Sequence, residues 1–159
     1  MRLASPEIAA PFVLDVLARD GAAWVHESSE SMAPLVRAGD RLWLSRTVLG
    51  DVRPGDLVAY RRDGQLVVHR VLSRDGSRLI TKGDGLSHRD APVPPGDVVA
   101  RVTVLQTAPD RRIEFDGLAW RMLGRAFALA SRLSEWTSGS GLAWKLTRVP
   151  AHLAAWWAR

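Results

Sequence analysis

The chain has 159 residues, 47% of them apolar and 25% charged, a composition that fits one globular domain. It contains no cysteine, which excludes disulfides, thiolate zinc sites and a cysteine nucleophile. The net charge of +5 lies at one end, because residues 1–116 carry 16 basic and 16 acidic side chains whereas residues 117–159 carry six basic side chains and one acidic one. Five of the seven tryptophans also lie in 117–159, so the composition divides the chain into a neutral body and a basic, tryptophan-rich tail.

The N-terminal residues predict a helix and no targeting signal. Residues 1–7 lack a basic region followed by an apolar core, so no secretory signal peptide is expected. The longest uncharged run, residues 149–158, is shorter than the roughly 18–20 residues of a transmembrane helix. Ser5, Pro6 and Glu7 are typical of a helix start, and Asp20-Gly21 of a helix end, which predicts a helical segment over residues 1–20.

Short apolar runs separated by turn signals predict a β domain over residues 21–116. Asp63-Gly64 and Asp75-Gly76 each join two such runs, and Asp-Gly between apolar runs is a strong hairpin signal. Residues 56–81 should therefore form a three-stranded meander. A further hairpin is expected from residues 97–106 and 112–115, closed around Ala108-Pro109-Asp110.

Ser31 is a candidate nucleophile because an apolar run, residues 22–25, leads through polar residues into a turn at Pro34 and Gly39. A serine hydroxyl needs a neighbouring base, usually histidine or lysine, which a third group can orient. The candidate bases are His69, in the middle of a predicted strand, and His88 and Lys82, which belong to the polar loop of residues 82–90.

Four motifs together resemble the type I signal peptidases. They are Ser29-Glu30-Ser31-Met32-Ala33-Pro34 with Gly39-Asp40, then Gly55-Asp56-Leu57-Val58, then His69-Arg70-Val71, and finally Lys82-Gly83-Asp84 with Asp90. The resemblance covers about residues 24–102. It is strongest to the archaeal and endoplasmic-reticulum branch, in which a histidine takes the place of the catalytic lysine of most bacterial enzymes and of the related LexA-like self-cleaving repressors. His69 stands at that position.

The resemblance implies a role for each matched residue. Ser31 would be the nucleophile and His69 its base, and Asp84 or Asp90 would orient the histidine, with Asp90 favoured as the direct partner. The Ser31 amide and the Ser29 hydroxyl would bind the oxyanion, a contribution of about 3–4 kcal/mol per donor. Met32 would shape the floor of the site. The implied fold is a coiled β structure that binds an extended peptide, with no metal or other cofactor.

The tail, residues 117–159, predicts amphipathic helices. Arg121, Arg125 and Arg132 fall within about 40° of one another on a helical wheel, and apolar residues cover the rest. A Ser-Gly break at 138–141 separates a second helical piece at 142–149. Such helices suit a membrane interface, but they equally suit packing on the β body or on a second copy. Nucleic-acid binding is not expected, because the body is neutral and the basic residues are sparse among apolar ones.

The sequence thus predicts a serine endopeptidase resembling signal peptidase I that cleaves a peptide or preprotein after small residues. Two alternatives remain: an inactive peptide-binding or membrane-docking module, and a cytosolic LexA-like regulatory peptidase. The expected location is the cytoplasm or a membrane surface reached through the tail.

Overall fold

In the computed structural model, which describes residues 6–136, two helices flank one seven-stranded antiparallel sheet. In chain order the elements are α1 (Pro6–Asp20), β1 (Ala22–His26), β2 (Arg41–Arg46), β3 (Leu57–Arg62), β4 (Gln65–Asp75), β5 (Arg78–Lys82), β6 (Val98–Ala108), β7 (Arg111–Glu114) and α2 (Leu118–Trp136). This confirms the predicted fold class, mainly β with a helix before the sheet and a helix after it. The second predicted tail helix, 142–149, and the Ser-Gly break at 138–141 lie outside the described residues.

The meander of β3, β4 and β5 forms where the Asp-Gly turns predict it. Asp63 and Gly64 both adopt positive φ, 51° and 76°, which matches the twist that a two-residue hairpin turn needs. Val58 pairs with His69 across β3 and β4, and Val71 pairs with Thr81 across β4 and β5. Because side chains alternate along a strand, His69 and Thr81 share one face of the sheet.

The strand order β1-β2-β6-β3-β4-β5 places β6 at the centre, with β7 also paired to it. The eleven residues of β6 are long enough to pair with three strands, β2, β3 and β7, along different parts of its length. This arrangement makes β1 an edge strand, and its C-terminal end leads directly into the turn that carries Ser31.

Both faces of the sheet are buried at residues 57–60 of β3 and 68–72 of β4, so the sheet separates two apolar clusters. Leu57 and Ala59 belong to the main core, whereas Val58 and Tyr60 belong to a smaller cluster on the opposite face. The turn after β1 inserts three fully buried side chains into the main core, those of Met32, Leu35 and Val36. This apolar anchoring holds the turn on the sheet beside β4.

Helix α2 packs on the sheet through one face. Phe127 and Ala128 are buried, and Gly124 lies so close to Gly55 that an added Cβ on Gly124 would sit 2.7 Å from the Gly55 carbonyl oxygen. Within residues 6–136, neither helix combines the length and the apolar character that a bilayer crossing requires.

Candidate active site

The turn that carries Ser31 is fixed by its own backbone hydrogen bonds. The Ala33 N–H donates to the Glu30 carbonyl at 3.0 Å, and the Val36 N–H donates to the Met32 carbonyl at 3.2 Å. The Ala33–Pro34 peptide bond is cis. With Met32 buried beneath it, this turn presents the partly exposed Ser31 side chain towards β4.

Ser31, His69 and Asp90 form a continuous hydrogen-bonded row. The Nε2 atom of His69 lies 3.2 Å from Ser31 Oγ, and its Nδ1 atom lies 2.7 Å from Asp90 Oδ2. His69 is 5% exposed, so the imidazole is fixed within the protein and does not rotate freely in solvent. Ser31, His69 and Asp90 are far apart in the sequence, and the fold brings their side chains into one row of contacts.

Asp90 is held by more partners than His69 alone. Its Oδ2 atom also accepts hydrogen bonds from Thr81 Oγ1 at 2.7 Å and from the Tyr60 hydroxyl at 3.0 Å, and Arg62 lies 3.3 Å from Oδ1. Burial alone would raise the pKa of this carboxyl, but the hydrogen bonds from His69, Thr81 and Tyr60, with the attraction to His69, lower it below its ordinary value. Burial also raises the pKa of the Tyr60 phenol, which keeps it a hydrogen-bond donor.

This row defines which nitrogen of His69 carries a proton. An ionised carboxylate only accepts hydrogen bonds, so Nδ1 donates to Asp90 and the lone pair of Nε2 faces Ser31 in the neutral ring. The arrangement can remove a proton from Ser31 and return it to a leaving group, which is the chemistry of a serine nucleophile with a histidine base.

Asp84, the other candidate acid, lies elsewhere and has a different partner. It makes a two-pronged ion pair with Arg70, with distances of 2.8 and 2.6 Å, in which the two side chains are 6% and 4% exposed. Arg70 also donates to the Gly55 carbonyl and stacks 4.8 Å from the ring of Phe127 on α2. Asp84 thus connects the loop after β5 to α2.

The two remaining candidate bases are placed differently from His69. Lys82 pairs with Arg70 across β4 and β5, so its side chain belongs to the face of Arg70 and not to the face of His69. His88 is exposed in the loop after β5. His69 places its Nε2 atom 3.2 Å from Ser31 Oγ.

Ser29, which is expected to help bind an oxyanion, lies beside Ser31, but its hydroxyl donates to Glu27. Its Oγ atom is 3.0 Å from Ser31 Oγ and donates to Glu27 Oε1 at 2.8 Å. The backbone N–H of Ser31 points at Ser29 Oγ across 3.4 Å. Glu30, between the two serines, accepts from the Ala38 N–H at 3.3 Å.

Two glycines after β5 allow their loop to lie against the Ser31 turn. A Cβ added to Gly83 would sit 2.5 Å from the Ser31 carbonyl oxygen and 3.0 Å from His69 Nε2. The N–H of Gly85 donates to the same Ser31 carbonyl at 2.8 Å, and a Cβ there would sit 2.9 Å from the Glu30 carbonyl oxygen. Only residues without a side chain fit at these two positions.

Four contributing residues were not among the sequence candidates: Glu27, Tyr60, Arg62 and Thr81. Thr81 could have been found from the predicted meander, because the register places it on the His69 face. Tyr60 belongs to the neighbouring strand, but its contact with Asp90 depends on the path of the loop after β5. That loop comes back to β5, where the Asp90 N–H donates to the Thr81 carbonyl. Sequence spacing carries no signal for that path.

Within residues 6–136 no cluster of three or more histidine and carboxylate side chains is arranged to hold a metal ion. Comparison of the chain with models of known protein families and with curated proteins finds no match.

Proposed function

We propose that this protein is a serine endopeptidase in which Ser31 is the nucleophile, His69 the general base and Asp90 the group that orients His69. The observation that carries the proposal is the row Ser31 Oγ–His69 Nε2–His69 Nδ1–Asp90 Oδ2, with contacts of 3.2 Å and 2.7 Å at its two ends. Nucleophile, base and orienting acid within hydrogen-bond reach are the geometric signature of covalent acyl transfer.

In the first half of the proposed reaction, Ser31 Oγ attacks the carbonyl carbon of the scissile peptide bond. Its proton moves to His69 Nε2, and the positive imidazolium that results is stabilised by the Asp90 carboxylate 2.7 Å from Nδ1. His69 then gives the proton to the departing amine as the C–N bond breaks, which leaves an ester on Ser31.

In the second half, a water molecule gives its proton to His69 Nε2 and attacks the ester carbonyl. Collapse of the second tetrahedral intermediate returns the proton to Ser31 Oγ and releases the new carboxyl end. The negative oxygen in both halves needs donors, and the groups proposed for this are the Ser31 N–H and, once its proton leaves Glu27, the Ser29 hydroxyl.

An extended peptide suits the sheet edge beside this site. Within residues 6–136, the outer edge of β1 has no strand partner, and β1 ends five residues before Ser31. A peptide that adds a strand there gains main-chain hydrogen bonds and approaches the nucleophile in an extended form. The motif resemblance to type I signal peptidases supports small residues before the scissile bond.

The test uses peptides with Ala-x-Ala sites and a fluorophosphonate probe, which reacts with activated serines. We expect cleavage, and probe attached to Ser31 by mass spectrometry, in the wild type; both should be lost in Ser31→Ala and His69→Ala. Ser28→Ala and His88→Ala, exposed residues of the same types, are the matched controls and should remain active. Cleavage that survives both Ser31→Ala and His69→Ala would refute the mechanism.

The same experiment separates the alternatives. Peptide binding with no cleavage and no labelling would indicate an inactive peptide-binding module. Cleavage confined to the protein's own chain would indicate a self-cleaving regulatory peptidase of the LexA kind.

We also propose that α2 contacts an anionic membrane surface. Leu118, Met122 and Leu129 are 76%, 64% and 57% exposed on the face opposite the buried Phe127, and an exposed row of Arg121, Arg125 and Arg132 runs beside them. Apolar side chains next to arginines suit the boundary between acyl chains and acidic headgroups.

Flotation of the full chain with vesicles tests this contact. We expect binding to vesicles that contain phosphatidylglycerol, weaker binding to pure phosphatidylcholine, and loss of binding in Met122→Ser/Leu129→Ser. Phe12→Ser, which removes an apolar side chain 71% exposed on α1, is the control and should still float. No flotation by the wild type, or equal loss in the control, would refute the proposal; a concentration-dependent dimer would instead assign the face to a second copy.

A further inference from the structure

Glu27 lies between β1 and the nucleophile and holds Ser29 by two contacts. One carboxylate oxygen, Oε1, accepts both the Ser29 backbone N–H and the Ser29 hydroxyl, each at 2.8 Å. Ser29 Oγ lies 3.0 Å from Ser31 Oγ, so Glu27 stands one hydroxyl away from the nucleophile.

The direction of these bonds follows from the number of protons available. A serine hydroxyl has one proton to donate, and an ionised carboxylate can only accept. The Ser29 proton is therefore committed to Glu27, and towards Ser31 the Ser29 oxygen can act only as an acceptor. A hydrogen bond across the 3.0 Å contact between the two hydroxyls must therefore be donated by Ser31.

The Ser31 proton then has two competing acceptors. His69 Nε2 lies at 3.2 Å and Ser29 Oγ at 3.0 Å. When Ser31 donates to Ser29, its hydroxyl is not polarised by the base. In the same arrangement Ser29 has no proton to offer an oxyanion, because that proton points at Glu27.

We infer that Glu27 is a positioning residue that restrains the nucleophile of the free protein by keeping Ser29 a hydrogen-bond acceptor. Formation of the oxyanion must draw the Ser29 proton away from Glu27, so part of the stabilisation that Ser29 gives the oxyanion is offset by the bond that it leaves. This inference rests on the proposed function, since it concerns the reactivity of Ser31.

The test measures the second-order rate of fluorophosphonate labelling of Ser31 and, with a cleaved peptide, kcat and KM. Glu27→Ala frees the Ser29 proton, so we expect labelling and kcat to rise about tenfold with KM unchanged, the scale expected when one charge-assisted hydrogen bond is released. In a Ser29→Ala background the Glu27 substitution should have no effect, because its route to Ser31 is gone. Glu30→Gln is the matched control: it removes a nearby acid that contacts Ala38 and not Ser29.

Each outcome is decisive. A Glu27→Ala rate that is unchanged or slower, an equal rise in the Ser29→Ala background, or an equal rise in Glu30→Gln would overturn the role of Glu27 while the proposed function stands. Absence of labelling in both the wild type and Glu27→Ala would instead overturn the proposed function, and this inference with it.

Discussion

Replacing Asp90 or Asp84 by asparagine should separate two effects that the sequence cannot tell apart. The two carboxylates belong to the same loop region, but Asp90 contacts His69 whereas Asp84 contacts Arg70. We expect Asp90→Asn to lose mainly activity and Asp84→Asn to lose mainly stability.

The expected loss for Asp90→Asn follows from the partners of each oxygen. If the amide oxygen faces His69, Thr81 and Tyr60, the amide nitrogen lies against the Arg62 guanidinium, which approaches Oδ1 to 3.3 Å. If the amide turns over, its N–H groups face His69 and favour the ring form that carries its proton on Nε2, which cannot act as a base. A wrong tautomer of this kind costs about 10⁴-fold in a serine protease triad, or about 5 kcal/mol in the barrier.

Asp84→Asn leaves a buried arginine without its full countercharge. Arg70 and Asp84 are 4% and 6% exposed, and loss of one partner of a buried pair costs about 3 kcal/mol or more. For a chain of this length that corresponds to a fall in Tm of about 6–12 °C. The His69 row is untouched, so labelling of Ser31 should fall by no more than about tenfold at a temperature where the variant is folded.

Both variants are compared by the fluorophosphonate labelling rate at 20 °C and by thermal unfolding. The reasoning is refuted if Asp84→Asn loses more labelling than Asp90→Asn while still folded, because the orienting role would then belong to Asp84. It is equally refuted if Asp90→Asn labels at the wild-type rate.

Three further predictions follow from close contacts and from the pKa of Asp90. Gly83→Ala should slow labelling at least about a hundredfold, because its Cβ would displace the Ser31 carbonyl and His69; Gly96→Ala, which meets nothing within 4 Å, should leave the rate unchanged. Gly124→Ala should push α2 off Gly55 and cost about 1–3 kcal/mol in unfolding free energy, measured by urea denaturation, and an unchanged midpoint would contradict this close contact. Because the pKa of Asp90 is lowered on folding, its stabilisation is present above the ordinary carboxyl pKa of 3.8 and lost as the pH falls through its lower folded-state value. Urea midpoints at about pH 5 and about pH 2 should therefore fall more in the wild type than in Asp90→Asn, and equal falls would contradict the assignment.

The part of the fold that the sequence predicts well is the part governed by neighbouring residues. The meander follows from two Asp-Gly turns, and α1 from Pro6 and Glu7 at its start and Gly21 directly after its last residue. The central position of β6 was not predicted, because β6 pairs with β2 and β3 through residues that are 38 to 65 positions apart, and these pairings depend on how apolar faces pack. Local turn chemistry carries no record of such distant pairings.

The candidate site divides in a similar way. The resemblance named Ser31, His69 and the two acids, and the residues alone left Asp84 and Asp90 open. The two acids differ because Arg70 binds Asp84. Arg70 follows His69 on β4, so its side chain lies on the opposite face of the sheet. To predict the pairing of Arg70 with Asp84, one must know the register of β4 and the path of the loop after β5. The path of that loop cannot be read from the sequence.

The contact between α2 and the sheet changes where the chain can be shortened. The shift in composition near residue 116 invites a cut there, yet such a cut would remove Phe127 from beneath Arg70 and expose the Gly55 carbonyl that Arg70 binds. Arg70 would then lose its contact with Phe127. Because Arg70 binds Asp84, the loop after β5, which contacts Ser31, would be held less firmly. A fragment meant to keep this packing should therefore extend at least through Ala128, the last buried residue of α2 among residues 118–132.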